Sequence, residues 1–550
     1  MSNLENLYTE SVRSFLKTVI CFDDEAYQEP PKAKDQPSAA RKPDDGFEEG
    51  SNNSTHNEIP QDNQTIENPN DNAHQLNAKE LTEAFAKKEI LCSVINPSND
   101  IEGENKCIER IAQMARMADV VILDWEMPGK DHSIAQNAII EIIKEDQGEG
   151  GCLRLIVIYS AADGITAINN LHNCLEKYKF EKIENGFALQ NEHALIVFLN
   201  KLGNFQTTDR IGYTDLPDRI ITEMLKLTKG LLPSAALRAV SVLRDKSHHL
   251  LAKFPARLDG AYIVHRALIP DPNDAETFLL DLLSSELSFI LSNPKVRDTL
   301  SAESCSEWLD INNIFSVDEK SEIKTVLTEK SGNKIEKLNK LNLFKLNESD
   351  SRKKGQDIAN KLFNKVYKEI GVDDARADMS VLSTLDRDCR TPQNNIDPPR
   401  LKLGSIIRRV VEGNTQYFLC FQPLCDSVRI DKKGKSFPFL SLTCIKTEDT
   451  NSGSFDICVR DKNNDIVWLQ VDTKPSNIVT LCFKPTCKQH GYIAAKLRDS
   501  AYLFQSTEDE FEWCADIKIG KAQRLASNLA TRIHTLGIDE FEWMRLHQKG

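Results

Sequence analysis

Five polar residues fall at the ends of short apolar runs. Asp23 and Asp24 follow residues 18–22, Asp124 follows 119–123, Ser160 follows 153–159, and Lys201 closely follows 194–199. If those runs are parallel strands, their carboxyl ends share one rim, the place where open α/β sheets bind ligands. Three carboxylates gathered there repel one another. A hard divalent cation with oxygen ligands relieves this, and Mg²⁺ suits it because it takes few carboxylates and keeps waters for substrate oxygens. Lys201 can pair with an anionic oxygen, and the Ser160 hydroxyl can donate to another. The set describes a phosphoryl pocket with one carboxylate left to act as nucleophile.

The surrounding pattern supports such a rim. Helical periods at 76–88, 105–117, 134–144 and 165–177 alternate with apolar runs at 90–95, 119–123, 153–159 and 194–199. With 18–22 in front, this predicts five parallel strands covered on both faces. Residues 28–75 interrupt the domain with a Pro-, Asn-, Asp-, Gln- and Ser-rich stretch that cannot bury enough surface to fold, so disorder is expected there. Helical periods dominate 206–385. Pro392, Pro398 and Pro399 mark 386–400 as a linker. Short strands divided by turn signals predict a mostly antiparallel β module over 401–510, with a helical segment, 511–550, closing the chain.

Composition narrows the classes. The chain has 550 residues, enough for three or four domains, and 69 Lys and Arg against 83 Asp and Glu give a net charge of −14. Such acidity disfavours nucleic acid as a partner. No apolar run is long enough to span a bilayer, so no membrane partner is expected. The opening residues show neither a basic nor an apolar signal region, and the 14 cysteines are spread through the chain, many of them in apolar runs. Reduced thiols and a cytoplasmic location are therefore expected.

The segments Cys21-Phe22-Asp23-Asp24-Glu25, Leu123-Asp124-Trp125-Glu126-Met127-Pro128-Gly129, Ile158-Tyr159-Ser160-Ala161 and Phe198-Leu199-Asn200-Lys201 resemble, in order, those of response-regulator receiver domains. The resemblance implies a flavodoxin-like fold for residues 1–205. It makes Asp124 the phosphoacceptor, and Asp23, Asp24, Asp124 and the carbonyl of Glu126 the Mg²⁺ ligands. Ser160 becomes the switch hydroxyl, Phe198 the switch aromatic, and Lys201 the lysine that meets the phosphoryl group. The chain would then be a regulator in a phosphorelay and not an enzyme in its own right. Three features depart from the family: the insertion after the first strand, the long spacing from Asp124 to Ser160 and Lys201, and Leu202 where proline is usual.

The whole architecture resembles atypical receiver proteins encoded beside histidine-kinase-like ATPases in bacterial anti-phage operons, Detocs-like systems among them. Leu232-Pro233-Ser234, Cys425-Asp426-Ser427-Val428-Arg429 and Asp539-Glu540-Phe541-Glu542-Trp543 carry that likeness. It implies a histidine-kinase-like ATPase as partner, further proteins of the same operon, and a role in antiviral defence.

Other readings compete. A scaffold that keeps the receiver fold without phosphorylation is one. A metal-dependent nuclease using Asp472 and Lys474, with Asp456 and Asp465 upstream, is another. His248 and His249 could be phosphate carriers on a helix or surface residues. Cys420, Cys425, Cys482, Cys487 and His490 could hold zinc, although thiols inside apolar strands normally just pack. Phe511-Glu512-Trp513 and Phe541-Glu542-Trp543 could anchor a partner; packing between the last helix and the sheet is the plainer expectation.

Overall fold

The computed structural model describes residues 2–27, 76–97, 103–127, 132–148, 151–201, 210–269, 272, 274–313, 327, 372–388, 398–428, 430–445, 456–461, 465–485, 491–498, 501–507 and 509–534. The expected disorder of 28–75, along with Cys487, His490 and the motif at 539–543, lies outside them. The chain forms two compact units. One comprises Met1–Gln147, Gly151–Lys246 and Ile290–Thr299; the other comprises Gly148–Gly150, Ser247–Phe289 and Leu300–Gly550.

In the first unit, α1 (Asn3–Phe15) starts at a capping box in which Ser2 and Glu5 satisfy each other's backbone amides. Next come β1 (Thr18–Phe22), α2 (Ala78–Ala86), β2 (Leu91–Ile95), α3 (Glu104–Ala115), β3 (Val120–Leu123), α4 (Ser133–Gly148), β4 (Arg154–Ser160) and α5 (Gly164–Leu175). A hairpin, β5 (Glu181–Ile183) and β6 (Ala188–Gln190), precedes β7 (Ala194–Asn200). Helices α6 (Leu216–Thr228) and α7 (Leu231–Ala252, in this unit through Lys246) follow. The sheet order is β2-β1-β3-β4-β7-β6-β5. The first five strands are parallel, as the apolar runs predict, and the hairpin adds two antiparallel strands beside β7.

The five parallel strands have the order 2-1-3-4-5 of the flavodoxin-like fold. Alternate side chains feed two cores. Ile20, Phe22, Val121, Leu123, Ile156 and Phe198 pack under α3, α4 and α5. Val19, Cys21, Ile122, Val157, Leu195 and Leu199 pack under α1, α2 and α6. The burial of Leu216, Ile220 and Met224 in the second core makes α6 part of the sheet's cover. Arg154 binds both oxygens of Asp146, at 2.8 and 2.7 Å, and donates to the carbonyl of Ala115, joining β4, α4 and α3.

The second unit contains α8 (Leu258–Leu268), α9 (Asp274–Leu291, through Phe289), α11 (Ala302–Ile311) and α12 (Val372–Ser383); the short α10 (Pro294–Asp298) belongs to the first. Its strands are β8 (Leu385–Asp388), β9 (Ser405–Val411), β10 (Asn414–Cys420), β11 (Lys435–Ile445), β12 (Ile457–Arg460), β13 (Ile466–Gln470), β14 (Ile478–Phe483), β15 (Lys496–Arg498), β16 (Ala501–Gln505) and β17 (Glu510–Ile517); α13 (Ile519–His534) ends it. They form one ten-stranded sheet, antiparallel at each pairing.

Two expectations need correction here. The start of the proposed linker is strand β8, paired with β17, because Leu385 is apolar and finds a place in the core. Phe511 and Trp513 are core residues, but they do not pack against the last helix. They face Phe418, Phe483 and Tyr502, whereas α13 packs on the opposite face through Ala522, Leu525 and Leu529. No helix among the described residues is long and apolar enough to cross a membrane.

Candidate functional site

Each candidate side chain stands where a strand stops. The amide of Asp23 donates to the carbonyl of Ile95 at 3.1 Å, that of Asp124 to Phe22 at 2.9 Å, and that of Lys201 to Ser160 at 3.0 Å. Each residue is therefore held by the ladder of the neighbouring strand, and the rim is positioned by β1, β3, β4 and β7 together. Continuous Val, Ile, Leu and Phe runs bury both faces of these strands and fix their register.

The acids converge. Asp23, Asp24 and Asp124 each offer a carboxylate oxygen, and these oxygens lie within 4.8 Å of one another. Lys201 Nζ is 2.8 Å from Asp23 Oδ2 and also bonds Asp124 Oδ2. Asp23, Asp124, Ser160 and Lys201 are all buried. Backbone amides complete the cradle: Glu25 donates to Asp23 Oδ1 at 3.0 Å, and Glu126 to Asp124 Oδ1 at 3.3 Å. Asn96 Nδ2 holds the carbonyl of Asp24 at 2.7 Å.

The electrostatics call for a cation. Three carboxylates against one ammonium leave two negative charges unmatched. Burial pushes the Asp23 carboxyl up to about 6; Lys201 opposes this and Asp124 adds to it. Asp24 is raised by burial and then by the charge of Asp124. Burial works against the charge on Lys201, but Asp124 and Asp23 outweigh it and keep its pKa above the ordinary lysine value. The buried Asp24 Oδ1 has no hydrogen-bond partner. An orphaned carboxylate oxygen beside two more acids fits a hard divalent ion.

Phe198 is 3 % exposed, with its ring inside the core. It sits against Gly164, the first residue of α5, where an added Cβ would lie 2.6 Å from Phe198 Cδ1. The Ser160 hydroxyl oxygen accepts from the amide of Ala162 at 3.4 Å. Sequence reasoning missed three participants. Asn96 follows β2 as Asp23 follows β1, so the same strand-end logic could have found it. Trp125, next to Asp124, is buried and stacks on His132 at 5.7 Å between centroids. No local signal marks Gly164 as the seat of a distant ring.

Among the described residues, the remaining candidates do not assemble. Asp472 forms a surface ion pair with Lys474 at 2.8 Å, Asp456 accepts from the amide of Val471, and the amide of Asp465 donates to the carboxylate of Asp461. Among the described residues, the only group of three or more metal-capable side chains is Asp23, Asp24 and Asp124. Neither the proposed nuclease acids nor Cys420, Cys425 and Cys482 form another. The described cysteines are all free thiols. His248 and His249 lie exposed on α7.

Neither a curated protein nor a solved structure was found to match the chain. A family model does match, over residues 15–205, the stretch that contains every residue of the rim. It is the model of the response receiver domain, and at residues 15–205 this chain carries such a domain.

Proposed function

We propose that this chain is a phosphoacceptor regulator in which Asp124 takes a phosphoryl group from a phosphohistidine on a partner kinase. A carboxylate oxygen of Asp124 attacks phosphorus as the phosphorus–nitrogen bond breaks. The electron pair of that bond returns to the imidazole, which leaves neutral when its other nitrogen carries a proton. The product is an acyl phosphate on Asp124.

The residues present fit Mg²⁺. Asp23, Asp24, Asp124 and the carbonyl of Glu126 would hold it, and once bound it would neutralise charge on the transferring oxygens. Lys201 already bonds Asp124 and is within reach of a new phosphoryl oxygen. Ser160, beside it at the end of β4, supplies a hydroxyl donor. A shift of Ser160 toward the phosphoryl group would let the Phe198 ring move away from Gly164, changing the face formed by α5 and β7.

The convergence of Asp23, Asp24 and Asp124 around Lys201 carries this reading, because no structural role requires three acids to share one buried pocket. The resemblance to anti-phage operon proteins supports a histidine-kinase-like ATPase as the donor and a defence setting; the genes flanking this one would test that part. The pocket itself is tested with beryllofluoride and Mg²⁺, reading Trp125 fluorescence against a Trp125→Phe control. A saturable change that needs both ions and disappears in Asp124→Asn supports the reading. Its absence in the wild-type chain favours a receiver fold that only docks a partner.

A further inference from the structure

The rim has an aromatic residue on each face of the sheet. Phe198 turns into the core under α5. Tyr159, one residue before Ser160 on β4, turns into the opposite core, the one that α6 covers. The Tyr159 side chain is buried, and its ring centre lies 5.8 Å from Lys201 Nζ. At that separation an ammonium is attracted to an aromatic face. Tyr159 touches neither the acids nor the site of a transferred group, so its place is behind the lysine.

The far end of the same ring reaches the chain that leads into α6. Tyr159 Oη donates to the carbonyl of Ile211 at 2.7 Å. The amide of Ile211 donates to the carbonyl of Asn200 at 3.1 Å, and Arg210 forms a parallel bridge with Asn200. Both backbone polar groups of Ile211 are thus bonded to the residues that directly precede Ser160 and Lys201. Ile211 and Tyr213 rest against the second core, and Leu216, buried in it, opens α6. The Tyr213 hydroxyl fastens the same lead-in to Glu80 on α2 at 3.1 Å.

These bonds make the hold on α6 depend on where the Lys201 charge sits. An ammonium near the ring draws electron density from the phenol and makes its hydroxyl a stronger donor. Burial holds the Tyr159 phenol above its ordinary pKa, with Lys201 opposing, so the hydroxyl keeps its proton and stays a donor. A phosphoryl group on Asp124 would add negative oxygens to the rim, and Lys201 would leave part of its present pairing to meet them. The ring then loses its cation, and the bond from Tyr159 to Ile211 weakens.

We infer that the lead-in to α6 responds to charge at the rim through Tyr159, a positioning residue that backs Lys201 and holds Ile211. This rests on the phosphoacceptor reading and adds to it a second output face, across the sheet from Phe198. Hydrogen exchange of the full chain, with and without beryllofluoride and Mg²⁺, tests it, while Trp125 fluorescence reports on the pocket. In the wild type, the two ions together should speed exchange over residues 210–216 roughly two- to fivefold. Tyr159→Phe keeps the ring and loses the hydroxyl. Its Trp125 should still respond, but exchange over 210–216 should be fast from the outset and indifferent to the ions. Tyr213→Phe, which cuts only the tie to Glu80, should keep the wild-type change. A wild-type Trp125 response with no change over 210–216 overturns the inference and leaves the phosphoacceptor reading standing. So does a Tyr159→Phe chain that still changes by the wild-type factor, the result a purely structural bond would give, or one whose Trp125 no longer responds. Loss of the change in Tyr213→Phe as well overturns the role of Tyr159, because any loosening of the lead-in would then suffice. A silent Trp125 in the wild type removes both readings.

Discussion

Lys201 Nζ lies 2.8 Å from Asp23 Oδ2, across 178 residues of chain, and the same ammonium bonds Asp124. One buried lysine therefore ties the ends of β1, β3 and β7 into a single charged cluster. Breaking a buried pair by removing one partner leaves uncompensated charge, which is far more damaging than losing a surface ion pair.

Lys201→Met should accordingly destabilise the metal-free receiver domain by about 3–5 kcal/mol. Mg²⁺ should recover part of the loss, because it binds the native acids and not the unfolded chain. Urea denaturation followed by Trp125 fluorescence, with and without Mg²⁺, measures both. Equal midpoints for the variant and the wild type would show that the lysine is not balancing the acids.

The raised carboxyls give a pH signature. The folded pKa of Asp23 is about 6, above its ordinary value near 4, so the native state holds that proton more tightly than the unfolded state does. Stability of the metal-free domain should therefore fall as pH rises from about 4 to about 6, then level off. Asp24, also raised, acts in the same direction. Mg²⁺ needs the ionised acids, so its affinity should rise over the same window, and Asp23→Asn should weaken both effects. Calorimetric titration of Mg²⁺ from pH 5 to pH 7.5 reads the second.

Gly164 has room for no side chain, since its missing Cβ would lie 2.6 Å from the Phe198 ring. Gly164→Ala should cost about 1–3 kcal/mol through overpacking. Phe198→Leu should relieve that clash, so the double variant should be more stable than the sum of the single losses predicts. Additive losses would place the two residues out of contact.

Arg154 is a further structural tie, buried and bonded to both oxygens of Asp146. Arg154→Met should destabilise the same domain by about 3–5 kcal/mol without changing Mg²⁺ affinity, because it stands at the opposite end of β4 from Ser160. A changed affinity would couple it to the rim.

Strands β1, β3, β4 and β7 were readable because they are buried on both faces and so appear as nearly unbroken apolar runs; the edge strand β2 is partly exposed. The rim was readable because each acid directly follows such a run. Other parts were written more faintly. Helix α1 hides only four buried side chains, although its Ser2–Glu5 capping box is visible in the sequence. The hairpin of β5 and β6 has strands of three residues, too short to show a period, and Asn185-Gly186 was its only local signal. The face taken by Phe511 and Trp513 depends on a register shift in the pairing of β9 with β17, between Ile406 and Ile407, which no single strand reveals.

The central claim is that Asp124 is the carboxylate that receives a phosphoryl group. Intact-mass spectrometry of the full chain, incubated with Mg²⁺ and acetyl phosphate, tests it most directly. The account predicts one hydroxylamine-labile phosphoryl adduct on the wild-type chain, mapped to Asp124 and lost in Asp124→Asn. An adduct that persists in Asp124→Asn, or a Mg²⁺-loaded wild-type chain that never acquires one, would contradict it.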